Sequence, residues 1–119
     1  MDVKDCYREL EGNYDDALSR LMNDVLIEKF LKKFLDDDSF KKLSMAVETK
    51  DYHEAFVAAH TLKGVCLNLS LTRLSESASV ITEYLRDYEN KIIDGNKLSE
   101  LFLSVSKDYS RTVSVIEKL

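Results

Sequence analysis

The chain reads as all-α: an antiparallel up-and-down four-helix bundle with short N-terminal covering helices. Three observations predict this. Apolar residues recur at three- and four-residue steps along nearly the whole chain, the period of an amphipathic helix. No strand-like alternation persists anywhere. The 119 residues include no proline, so no ring breaks a helix.

Taken in order, residues 2–11 form a short amphipathic helix, with Asp2 suited to cap it and Gly12 to stop it. Asn13 can start a second short helix through Leu21. Asn23 then precedes a helix over 23–35, with Leu26, Phe30 and Phe34 on one stripe. The acidic run Asp36-Asp37-Asp38 before Ser39 interrupts that pattern and favours the positive end of a next helix over 39–49. Phe40, Leu43 and Val47 point inward there. Asp51 followed by Glu54 resembles a capping box. It opens a helix over 51–69 whose stripe is Tyr52, Ala55, Ala59, Leu62, Cys66 and Leu69. A helix over 71–92 repeats the device with Leu71, Leu74, Ala78, Ile81, Leu85, Tyr88 and Ile92. Tyr88 and Tyr109 are expected to serve packing. Asp94-Gly95-Asn96 reads as a turn, with Gly95 suited to a left-handed cap. The last helix, over 96–118, carries Leu98, Phe102, Val105, Tyr109, Val113 and Ile116. Loops this short join antiparallel neighbours. The four bundle members are then 23–35, the pair 39–49/51–69, 71–92 and 96–118. Each large side chain buried between them contributes roughly 1.5–3 kcal/mol.

Length and composition suit one domain over residues 1–119. Apolar residues make up 45%, too many for a disordered chain. A net charge of −5 argues against a nucleic-acid partner, since phosphate backbones require a positive field. No apolar run is long enough to span a membrane, and no signal peptide is evident, which points to the cytoplasm. Cys6 and Cys66, with two histidines in no ligand spacing, do not make a metal site. Cys66 falls on the apolar stripe and reads as a small core residue. No glycine-rich nucleotide loop is present, so the chain is not expected to act as a kinase on its own.

The segment His60-Thr61-Leu62-Lys63-Gly64 carries the chemistry. Lys63 and Gly64 lie one helical turn after His60, at i+3 and i+4. A glycine inside a helix costs about 1 kcal/mol relative to alanine, so Gly64 requires a local reason. Helical side chains lean toward the N-terminus, and a side chain at 64 would lie over the turn that bears His60. On the helical wheel His60 lies roughly 130° from the centre of the core stripe. It is expected to be open to solvent, with Lys63 as a cation beside it. Phe56, Val57 and Leu67 make the surrounding strip more apolar than a solvated face requires, as a docking surface would be. A histidine ordinarily titrates near 6.5, so near neutral pH one ring nitrogen has a free lone pair. That nitrogen can attack an activated phosphoryl group if a partner positions it.

The run Ala58-Ala59-His60-Thr61-Leu62-Lys63-Gly64-Val65-Cys66-Leu67-Asn68-Leu69 resembles the signature of histidine-containing phosphotransfer (HPt) domains. The chain is similar to stand-alone bacterial members over nearly its full length, including Lys29-Phe30 and Phe34-Leu35-Asp36. The resemblance implies that His60 takes a phosphoryl group from the aspartate of one response-regulator receiver domain and gives it to another. A hybrid histidine kinase would stand upstream. Lys63 would stabilise the phosphoryl oxygens, and Gly64 would give the receiver clearance. Phe56, Val57, Leu67 and Asn68 would contact it. No cofactor is implied, since the magnesium belongs to the receiver, and a monomer is expected. At Ser70 the family usually has glycine; serine there can cap the following helix. A second reading is a helical adaptor or inhibitor that docks a signalling partner without carrying phosphate.

Overall fold

Short polar side chains start five of the helices, as N-cap residues do. The side chain of Asp2 accepts from the Asp5 N–H at 2.8 Å, Asn13 from Asp16 at 3.0 Å and Asn23 from Leu26 at 2.9 Å. Asp51 accepts from Glu54 at 3.1 Å, and Asp94 from Asn96 at 2.9 Å. The computed structural model describes residues 1–119. Its helices are α1 (Val3–Leu10), α2 (Tyr14–Leu21), α3 (Asp24–Phe34), α4 (Ser39–Thr49), α5 (Tyr52–Asn68), α6 (Thr72–Leu85) and α7 (Gly95–Ile116). There are no strands. A single 3-10 turn, Tyr88–Asn90, lies between α6 and α7.

Helices α4, α5, α6 and α7 pack each on the next, and α7 closes back on α4. Helices α1, α2 and α3 pack mainly on one another, with α1 against α7. Membership thus differs from the expectation, which joined 39–49 to 51–69 and counted 23–35 in the bundle. Lys50 (φ 58°) ends α4 in the left-handed region, and the Asp51 N–H turns back to the Ala46 carbonyl at 2.9 Å. α4 is therefore a wall of its own, and α3 joins the covering layer. The same Asp51 bond means that only one half of the capping box forms.

The core is a single cluster of 25 buried apolar residues. The stripes of α5 and α6 lie where the periodicity put them, from Ala55 to Leu69 and from Leu71 to Leu85, except that Tyr52 is half-buried. Cys66 is fully buried, as is Cys6. Phe40 stacks between Phe102 (5.6 Å) and Tyr109 (4.1 Å), fastening α4 to α7. On α3 the buried stripe is Ile27, Leu31 and Phe34. Leu26 and Phe30 are only partly covered, because the helix is rotated by about one residue from the expected stripe.

Three further expectations are corrected. α6 ends at Leu85, well short of 92, because Arg86 is extended (ψ 139°) and Asp87 is left-handed (φ 57°). Ile92 is consequently 96% exposed and Tyr88 is only half-buried, so neither belongs to the core. Gly95 has no positive φ and opens α7 under the Asp94 cap. Ser70 does not cap α6. It is buried with φ 54°, which explains why glycine suits this position. Its hydroxyl instead donates to Asp16 Oδ2 at 2.7 Å and accepts from Arg20 at 3.0 Å. Its carbonyl accepts from the Asn13 N–H at 3.0 Å. These bonds, with Tyr7 Oη donating to the Leu69 carbonyl at 2.6 Å, pin α1 and α2 to the turn that follows α5. Gly12 stops α1 beside a left-handed Glu11. A Cβ there would lie 2.8 Å from the Ser70 carbonyl, so its missing side chain is what allows this close approach.

Candidate functional site

α5 turns Ala55, Ala58, Ala59, Leu62 and Cys66 inward. The small alanines let its neighbours approach closely, and the opposite side of the helix remains open. His60 lies on that open side and is exposed. No hydrogen bond or ion pair in the structure uses its ring nitrogens. Its one close partner is Phe56, one turn earlier: the rings are nearly parallel (10°), with centroids 6.1 Å apart. Phe56 thus lies alongside the imidazole, nearly parallel and offset, and leaves its nitrogens free.

Lys63 is half-buried and Gly64 is exposed, both one turn after His60. A Cβ built on Gly64 meets nothing within 4 Å, and its φ is not positive. Neither internal packing nor backbone conformation therefore requires glycine. What its absent side chain provides is open space outside the helix, over the turn that bears His60. Val57 is 43% exposed and Leu67 50%, and Asn68 is also exposed. The seven residues singled out in the sequence, Phe56, Val57, His60, Lys63, Gly64, Leu67 and Asn68, therefore lie on one helix, with Phe56 and Lys63 at the border with the core. Asn68 also reaches a groove of about 260 Å³ between α3 and α5, lined by Phe30, Phe34, Val65 and Lys33 among others.

Two residues of α6 and its end were missed in the sequence. Arg86 places its guanidinium over the Phe56 ring, 5.3 Å from the centroid. It also donates to both carboxylate oxygens of Glu83, at 2.9 and 3.0 Å. Those hydrogen bonds hold the Glu83 carboxyl below the ordinary carboxylate range, assisted by the charges of Arg86, Lys63 and His60 and opposed by partial desolvation. Glu83 and Arg86 thus face the His60 side of α5 from the neighbouring helix. The signal that could have found them is the turn at 69–71. Folding α6 back from it sets 83 and 86 alongside 60 and 56.

Both thiols are remote from this chemistry. Burial pushes the Cys66 thiol far up and raises that of Cys6 to about 11. No group of histidine, cysteine, aspartate and glutamate side chains is placed to hold a metal ion. No helix is long and apolar enough to cross a membrane.

The Hpt domain family model matches residues 25–105, from the first turn of α3 into the middle of α7. No curated protein and no solved structure matches the chain significantly. The matched segment contains α4, α5 and α6 whole and covers more than half of the chain, so the chain belongs to the Hpt domain family, the histidine phosphotransfer domains of phosphorelays.

Proposed function

We propose that this chain is the histidine phosphotransfer intermediate of a two-component phosphorelay, with His60 as the phosphoacceptor. The observation that carries the reading is an exposed imidazole with unoccupied nitrogens, followed one turn later by a cation and a bare glycine. A free ring nitrogen attacks the phosphorus of an aspartyl phosphate on a receiver domain. The P–N bond forms as the P–O bond breaks, and the aspartate carboxylate leaves with that bond's electron pair. The other ring nitrogen keeps its proton or releases it to solvent. The reverse step on a second receiver returns the imidazole.

Such transfer depends on positioning and on neutralising the phosphoryl oxygens. Lys63 supplies the charge on this side. Gly64 lets the receiver surface approach, and Val57, Leu67, Asn68 and the edge of Phe56 form the contact strip. The chain has no activity toward ATP in this reading and needs no cofactor. The partners are receiver domains of response regulators and of a hybrid histidine kinase. The chain acts as a cytoplasmic monomer, with one face reserved for transient docking. Packing of α4 through α7 in a closed ring, with short turns between α4, α5 and α6, supports an antiparallel up-and-down four-helix bundle. Residues 1–24 and 106–119 belong to the same domain: α1 and α2 are bonded to the turn after α5, and Thr112, Val115 and Ile116 complete the core.

The test is incubation with a phosphorylated receiver. The chain gains an acid-labile, base-stable phosphoryl group, and His60→Gln gains none. ATP alone labels neither. A chain that binds the receiver and gains nothing is an adaptor, and the carrier reading is then wrong.

A further inference from the structure

The Glu83–Arg86 pair has a position that its role in α6 does not require. As an exposed i,i+3 ion pair at a helix end it contributes little to stability, since both side chains are about half exposed. Yet Arg86 lies over the Phe56 ring, and that ring lies parallel to His60. Glu83 is tied to that guanidinium through both carboxylate oxygens, and the charges of Lys63 and His60 add to that of Arg86 in holding its carboxyl low. The His60 edge of the molecule therefore carries one negative side chain, Glu83, and two positive ones, Lys63 on α5 and Arg86 over Phe56. Asp87 and Glu89 lie further along the same edge, beside His53 and Tyr88.

Phosphorylation of His60 brings about two negative charges to this spot. They are repelled by Glu83 and attracted by Lys63 and Arg86. In the unphosphorylated state Arg86 is engaged by Glu83 through two hydrogen bonds. A phosphoryl group must then compete with that carboxylate for the nearby cations.

Resting on the phosphotransfer reading, we propose that Glu83 and Arg86 are opposed tuning residues that set how far the phosphoryl equilibrium favours His60 over the receiver aspartate. Glu83 destabilises the phosphorylated histidine and so favours onward transfer. Arg86 offsets this, partly by neutralising Glu83 and partly by its own charge. Neither residue forms or breaks a bond to phosphorus, and the atom balance of the transfer is unchanged.

The experiment measures the equilibrium constant for phosphoryl exchange between one phosphorylated receiver and four proteins: wild type, Glu83→Gln, Arg86→Gln and the double variant. Glutamine keeps the size of Glu83 and removes its charge. A unit charge beside a phosphoryl group at a solvated surface shifts such an equilibrium on the order of three- to tenfold. Glu83→Gln moves it toward phosphorylated His60 and Arg86→Gln moves it away, with the double variant between them. The spread narrows in about 1 M salt, where screening reaches about 3 Å. A purely structural ion pair predicts the opposite pattern, because breaking it from either side moves both single variants the same way. Shifts in one common direction, or no shift in Glu83→Gln, overturn the proposal. If wild type accepts phosphate but the variants do not diverge, only this inference fails. If wild type accepts none, the phosphotransfer reading falls with it.

Discussion

Gly64→Gln puts a side chain where the structure leaves bare helix. The new Cβ meets no atom within 4 Å, and the helical φ needs no adjustment, so the fold accepts it without strain. Glycine is about 1 kcal/mol worse than alanine inside a helix, and glutamine is close to alanine. The variant is therefore more stable by about 0.5 kcal/mol, a rise of about 2 °C in Tm for a domain of this size. Transfer responds in the other direction. The glutamine leans back over the turn that bears His60 and occupies the space through which a receiver carboxylate approaches. A misplacement of about 1 Å costs such a reaction on the order of 100-fold, so the transfer rate falls by about 10- to 100-fold. Thermal melting followed by circular dichroism gives the first number, and rapid-quench transfer from a phosphorylated receiver gives the second. A variant that transfers at the wild-type rate refutes the clearance argument. One that melts lower refutes the claim that no internal contact needs this glycine.

Lys63→Ala removes the cation from the phosphoryl oxygens and not the contact strip. It slows transfer by about 10- to 100-fold, while receiver binding measured by calorimetry stays within a few-fold. Ser70→Ala loses the hydroxyl bonds to Asp16 and Arg20 but keeps the left-handed backbone. Ser70→Gly loses the same bonds and relieves that backbone. Urea unfolding is expected to place the glycine variant above the alanine variant by about 1 kcal/mol, and the reverse order would refute the strain argument. The Cys6 thiol is raised from 9.0 to about 11 by burial, with Glu9 adding to it. Its neutral form is favoured in the fold, so this contribution is complete below pH 9 and is lost as pH rises through 11. The urea midpoint of wild type then falls more steeply between those values than that of Cys6→Ala, and parallel curves would contradict the assignment.

How far the sequence discloses the fold differs from element to element, for physical reasons. The stripes of α5 and α6 are legible because burial on one face imposes a strict period, and every residue from Ala55 to Leu85 on those stripes is buried. The open placement of His60 follows from the same wheel. The end of α6 is not legible. Tyr88 and Ile92 continue the apolar period, and no glycine or proline marks the break, which depends on a left-handed Asp87. Gly95 misleads for the converse reason: a glycine beside aspartate suits either a C-cap or a start after an N-cap, and only the Asp94 hydrogen bonds decide. The role of Ser70 depends on α2, through Asp16 and Arg20, 54 and 50 residues earlier in the chain. Bundle membership differs from the expectation because the Asp51 cap marks a break after residue 49 but not its direction, which the left-handed Lys50 sets. At the site, the motif on α5 exposes its own residues but is silent about α6. Glu83 and Arg86 become neighbours of Phe56 and His60 only through the turn position and the rotation of the two helices.

The central claim concerns one ring. Mixed with a phosphorylated cognate receiver and quenched in alkali, the chain can be fragmented and its phosphoryl group located by mass spectrometry. The account predicts one phosphoryl group per chain, attached to a ring nitrogen of His60. A group found on His53 or on a hydroxyl, or no group with any receiver that binds the α5 surface, would contradict it.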